Sequence, residues 1–199
     1  MAAFREANRI KLPGWHHAPV PSFGASDASV LVVGLAPGLR GANRTGRPFT
    51  GDFAGDILYE ALAAHGLAEG VYRADPSDGF RLLDARVTNA ARCVPPENKP
   101  TPAEVATCRR FLMDELTMPP RPKVVLALGR IAHESTLRGF GCRPSDFPFG
   151  HATVHRIDDA TSLVSSYHTS RYNIQTGRLT RAMFDQVMAK VAALRLQAG

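Results

Sequence analysis

The sequence predicts an α/β fold, a three-layer α/β/α sandwich with a mainly parallel central sheet, and three observations lead there. Val30-Leu-Val-Val33 and Lys123-Val-Val-Leu-Ala-Leu128 are apolar runs rich in β-branched residues, as expected of strands buried on both faces. Helical periodicities alternate with such runs, the pattern that builds parallel sheets through crossover helices. At 199 residues and 44% hydrophobic, the chain is long enough for one compact core, and no break in composition divides it. The expectation is a single domain over 1–199, with an irregular, proline-dotted N-terminal segment over 1–29.

In order, that segment leads into a strand over 30–34 and a long loop. A helix from about Ala54 to His65 follows, with Ile57, Leu58 and Leu62 on one side. A Gly/Asp/Pro stretch precedes a strand around 84–89. Thr101-Pro-Ala-Glu104 opens a helix with a capping box and proline at the first helical position, and that helix runs to about Leu116. The buried strand over 123–128 ends at Gly129, and a short helix continues to about Arg138. Strands near 152–157 and 162–166 come next, and an amphipathic helix from about Thr180 to Leu196 closes the chain. There is no internal repeat and no low-complexity segment.

Lys and Arg outnumber Asp and Glu by 24 to 18, giving a net charge of +6. Together with a pI near 9.6, this favours a polyanionic partner, because cations that displace condensed counterions drive nucleic-acid binding. No apolar run approaches the roughly 20 residues that span a bilayer, and the N-terminus lacks the apolar core of a secretory signal. The expectation is a cytoplasmic, monomeric protein with no membrane partner.

The densest signal is Gly34 to Asp52, GLAPGLRGANRTGRPFTGD. It leaves the carboxyl end of a central strand, where ligands bind in open α/β sheets. Its glycines let backbone approach a ligand, and Pro37 and Pro48 stiffen it. Neither phosphate fingerprint is present: no Gly-Lys-Ser/Thr follows the glycines, and their spacing is not G-x-G-x-x-G. An active-site loop is therefore favoured over a nucleotide cradle.

GLAPG followed by NRTGRPFTGD resembles motif A of the uracil-DNA glycosylase superfamily, most closely that of family 5 (type b). Asn89-Ala-Ala-Arg-Cys-Val-Pro-Pro-Glu-Asn-Lys-Pro-Thr101 resembles that family's middle segment, and Ser166-Tyr-His-Thr-Ser-Arg-Tyr-Asn-Ile-Gln-Thr-Gly-Arg-Leu-Thr180 its motif B. The resemblance implies the same sandwich fold and a DNA-repair hydrolase. That enzyme cleaves the N-glycosidic bond of uracil, or of a related damaged base flipped out of DNA, and leaves an abasic site. Two other classes stay open beside a monofunctional glycosylase: a catalytically inactive nucleic-acid-binding module of the same fold, and a small-molecule nucleosidase.

By that resemblance, Phe49 is the stacking face and Asn89 the amide that reads the base edge, with Gly34 and Ala36 on the base side of the loop. The bland readings are a core aromatic for Phe49 and a strand-end cap for Asn89. His168 matches a donor to the base oxygen where negative charge develops. GLAPG has apolar residues where other branches carry an acid or amide, so the water-orienting residue falls to Asp52 first and Asn43 second. Asp52 also has the alternative of capping the helix that begins near Phe53. Arg44, Arg47, Thr169, Ser170, Asn173, Gln175 and Arg178 are candidates for holding DNA.

Families 4 and 5 usually carry a [4Fe-4S] cluster on four cysteines. Cys93 and Cys108 match the middle pair, but no cysteine precedes Cys93 and Cys142 is not at a matching position. With an incomplete ligand set, the expectation is that no cofactor is needed for the chemistry and that the thiols are reduced.

Overall fold

The computed structural model describes residues 1–197. Its main sheet has six strands in the order β1-β5-β2-β6-β8-β7. Four parallel strands form the centre: β2 (Val30–Gly34), β5 (Ala85–Asn89), β6 (Val124–Leu128) and β8 (Ser162–Ser166). At the margins lie β1 (Phe23–Gly24) on β5 and β7 (Val154–Arg156) on β8, both antiparallel. Every residue of β2, β6 and β8 is buried, which is why β2 and β6 read as continuous apolar runs rather than alternating ones, whereas β8 buries three serines around Leu163 and Val164.

Successive side chains on a strand point to opposite faces, and the two halves of the core divide on that rule. Val30, Val32 and Leu126 pack with α3 (Phe53–Ala64) and α7 (Arg181–Leu196), through Ile57, Leu58, Leu62, Phe184 and Val187. Leu31, Val33 and Val125 pack on the other face with α4 (Pro102–Thr117) and α5 (Arg130–Gly139), through Leu112, Leu116 and Leu137. The three layers expected from the sequence are therefore present. At the start of α4 the capping box is complete, with Glu104 N donating to Thr101 Oγ1 and Thr101 N to Glu104 Oε2.

Several connections are more ordered than the sequence suggests. Within the first 29 residues, expected to be irregular, α1 covers Ala2–Lys11 and β1 joins the sheet. The prolines responsible for that expectation stand at 13, 19 and 21. The segment before them is free of breakers and rich in Ala, Arg and Lys, and the residue before Pro13 is pushed out of the helical region. The long loop contains one helical turn, α2 (Ala42–Thr45), and motif B contains another, α6 (Arg171–Gln175). The Gly/Asp/Pro stretch carries a small hairpin of β3 (Ala68–Glu69) and β4 (Arg81–Leu82). Among the described residues no helix is long and apolar enough to cross a membrane.

Candidate active site

The site is assembled at the carboxyl ends of β2, β5 and β8. Gly34 and Asn89 are the paired last residues of their strands. Ala90 N donates to Gly34 O at 2.9 Å and Ala91 N to Leu35 O at 3.0 Å, so the ladder continues past both strand ends and fixes the start of the loop. A Cβ on Gly34 would lie 2.4 Å from Phe49 Cζ and 2.5 Å from Asn89 Oδ1. Only glycine lets the ring and the amide close on this point.

Phe49 is buried at 6% exposure and has a left-handed backbone, φ 54°. Its ring stacks on that of His168 at 6.1 Å and 23°. Phe49, Asn89, Asp52, Ala36, Pro37, Gly38, Ala42, Ala54 and His168 line one recess. Asn89 is only 6% exposed, and it borders the recess. Its amide carries both a donor and an acceptor, which suit a polar ligand in the recess.

Asp52 caps a helix and also lines the recess. It is the N-cap of α3, its Oδ1 accepting from Gly55 N at 3.1 Å. Its Oδ2 faces the glycine turn, where a Cβ on Gly41 would stand 2.4 Å away. Burial pushes the carboxyl pKa up, and nearby Asp56 adds to this, while the Gly55 and Ala54 amides pull it down. The Asp52 carboxyl is thus a better base than an exposed one.

His168 follows β8 in a turn held from several sides. Asn173 Nδ2 donates to His168 O at 2.8 Å, Thr169 Oγ1 to Ala54 O at 3.2 Å, and Tyr167 N to His151 Nδ1 at 3.3 Å. The His151 ring also stacks on Tyr167 at 4.9 Å. Burial pulls the His168 pKa down to about 4, and its Nδ1 has no partner among the described residues. The ring is therefore neutral near pH 7, able to donate one hydrogen bond without bringing a charge.

The remaining candidates divide by location. Asn43 is fully buried, its Nδ2 is 3.2 Å from His17 Nδ1, and the recess is lined without it. It joins the loop to the N-terminal segment, with His17 N donating to Asn43 O. Arg44, Gln175 and Arg178 are exposed, with the Arg178 guanidinium 4.8 Å from the Tyr167 ring centre. Ser170 caps α6 and Asn173 holds the His168 turn.

Two expectations for DNA contacts are corrected. Arg47 is only 6% exposed, pairs with Asp78 through two 2.8 Å hydrogen bonds, and lies over the rings of Phe23, Tyr59 and Tyr72. A guanidinium already paired and caged does not reach phosphate. Thr169 is fully buried with its hydroxyl on Ala54, so it too is internal. The sequence reading also missed Tyr72, Asp78 and His151, which lie outside the three motifs and are joined to the site only by folding.

The cysteines do not complete a cluster site. Cys93 accepts from Arg5 Nη1 at 3.1 Å, and Cys93, Cys108 and Cys142 are free and half-buried. Among the described residues no group of three His, Cys, Asp or Glu side chains could hold a metal ion. Two thiols fall short of the four thiolates of a [4Fe-4S] centre, so the residues present do not fit that group.

The sequence matches the family model of the uracil DNA glycosylase superfamily over residues 21–192. It is 47% identical over 182 residues to the type-5 uracil-DNA glycosylase of Thermus thermophilus, covering 92% of this chain and 82% of that protein. It is 41% identical to the type-5 enzyme of Mycobacterium bovis, covering 92% and 68%. For the type-5 enzyme of Pyrobaculum aerophilum the identity is 39%, over 88% and 76%. With a family model matched over most of its length and relatives at 39–47% identity, the chain belongs to the uracil-DNA glycosylase superfamily.

Proposed function

We propose that this protein is a monofunctional uracil-DNA glycosylase, which hydrolyses the N-glycosidic bond of uracil in DNA and leaves an abasic site. The observation that carries the reading is the convergence of Phe49, Asn89, Asp52 and His168 on one recess at the ends of the parallel strands. Each of these residues fills a separate need of the reaction.

The flipped base stacks on Phe49, and the Asn89 amide offers a donor and an acceptor to its Watson–Crick edge. As the bond between N1 and C1′ breaks, its electron pair moves onto the base. The neutral His168 ring donates to the base O2, where the charge gathers, so the interaction is stronger in the transition state than in the bound substrate. Asp52 Oδ2 orients a water beneath C1′ and stabilises the oxocarbenium-like sugar. The water oxygen bonds to C1′, its proton passes to Asp52, and the released base takes up a proton from solvent. Arg44, Gln175 and Arg178, exposed on the loop and on motif B, meet phosphates or fill the gap in the stack. Side chains supply every role, and we assign no step to a metal or cofactor. A cytoplasmic monomer fits this reading.

The test is base release from a labelled oligonucleotide with one uracil, single-stranded and opposite guanine or adenine, with a chelator present and alkaline cleavage of any abasic site. Scission at the uracil is the expected result. Intact DNA, bound or unbound, overturns the proposal.

A further inference from the structure

Phe49 holds a left-handed backbone, φ 54°, which a bulky residue keeps only where its surroundings impose it. Two tyrosine hydroxyls tie down the carbonyls at this point. Tyr59 OH donates to Pro48 O at 2.5 Å from beneath, and Tyr72 OH donates to Phe49 O at 3.1 Å. The Tyr72 hydroxyl also accepts from Gly51 N at 3.4 Å, so one oxygen bridges the peptide groups on either side of Thr50.

Tyr72 lies between the strands of the small hairpin, outside every motif that marks the family, and its own ring is well located. It packs on Tyr59 at 4.7 Å and Phe80 at 5.7 Å, with the Arg47 guanidinium at 5.6 Å. Asp78, from the same segment, holds Arg47, and Arg47 Nε donates to Thr50 Oγ1 at 2.8 Å. The 72–78 segment therefore grips the Phe49–Gly51 turn at two backbone atoms, the Phe49 carbonyl and the Gly51 amide, and, through Arg47, at the Thr50 hydroxyl. Close packing leaves this turn little freedom, for a Cβ on Gly55 would fall 1.5 Å from Phe49 O and 3.0 Å from the Tyr72 hydroxyl.

We propose that Tyr72 is a positioning residue for base recognition: by bridging Phe49 O and Gly51 N it sets the tilt of the ring on which the flipped base stacks. It acts on the affinity for uracil in DNA rather than on bond cleavage, because the atoms that take part in cleavage belong to Asp52 and His168. The proposal rests on the reading of Phe49 as the stacking face.

Tyr72→Phe keeps the ring and removes the bridge. Steady-state kinetics on a single-uracil oligonucleotide should show KM raised about fivefold and kcat changed by less than about twofold, as expected for loss of one neutral hydrogen-bonding group. Phe49→Ala should raise KM further, and the double variant should match Phe49→Ala alone, since the bridge has nothing left to aim. Tyr59→Phe, which cuts the tie to Pro48, is a second variant expected to raise KM in the same way.

If Phe49→Ala leaves KM unchanged, the stacking role fails and the proposal fails with it. If Phe49→Ala raises KM while Tyr72→Phe and Tyr59→Phe behave as wild type, the stacking role stands and the positioning role is overturned. Additive effects in the double variant, or a fall in kcat with KM unchanged, also overturn it, because a merely structural tyrosine would behave in that way.

Discussion

Asp52 divides its work between two oxygens, one capping α3 and the other facing the recess. Asn also caps well, so Asp52→Asn should leave the thermal midpoint almost unchanged while lowering kcat on uracil-containing DNA by about 10²- to 10⁴-fold; a loss confined to stability would contradict the catalytic role. The raised carboxyl pKa gives a direction in pH. Activity should fall as pH drops through that raised value, and the acid limb should vanish in Asp52→Asn. His168, pulled down to about 4, titrates too low to account for losses at pH 6. The two groups act oppositely on stability. An acid whose pKa is raised by folding makes the fold more stable as pH falls through that raised value. A histidine whose pKa is lowered contributes stability that is present above about 6.5 and is lost as pH falls toward 4. At this scale the sequence was legible where a motif singled out the residue, as with Phe49, Asn89 and His168, all of which line the recess. Arg47 was misread because its partners, Phe23, Tyr59, Tyr72 and Asp78, are scattered along the chain, and nothing local to Arg47 announces them.

The elements that sequence reading located well carry their own signals. α4 has its capping box and β6 its apolar run, whereas the short hairpin of β3 and β4, two residues a strand, has no period to detect. α1 was missed for a different reason, since prolines that begin at 13 were allowed to speak for the residues before them. Two predictions belong here. Thr101→Ala should lower stability by about 1 kcal/mol, read as a shift in urea midpoint with activity retained. Asp78→Ala should cost about 3–5 kcal/mol, because it leaves the buried Arg47 charge without its partner; the side chains of that pair are 6% and 0% exposed. A change below about 1 kcal/mol would show that Arg47 finds water or another partner when Asp78 is gone.

Across the whole molecule, not all of the 24 Lys and Arg side chains are free to meet phosphate, since Arg47, Arg86 and Arg92 are engaged in ion pairs. Salt dependence separates the free from the engaged. Arg178→Ala should weaken DNA binding at all sequences and reduce the slope of log K against log salt by roughly 0.9, whereas Arg47→Ala should act first on stability; an unchanged slope for Arg178→Ala would remove it from the DNA face. The fold class was legible because the burial of β2 and β6 leaves its mark on their composition. The sheet's margins are made differently. β1 has two residues and β7 three, of which Val154 and Arg156 are exposed, so a neighbouring molecule meets almost no open backbone ladder to extend. Copies brought close together along a polyanion are therefore poorly equipped to zip edge to edge into fibrous assemblies.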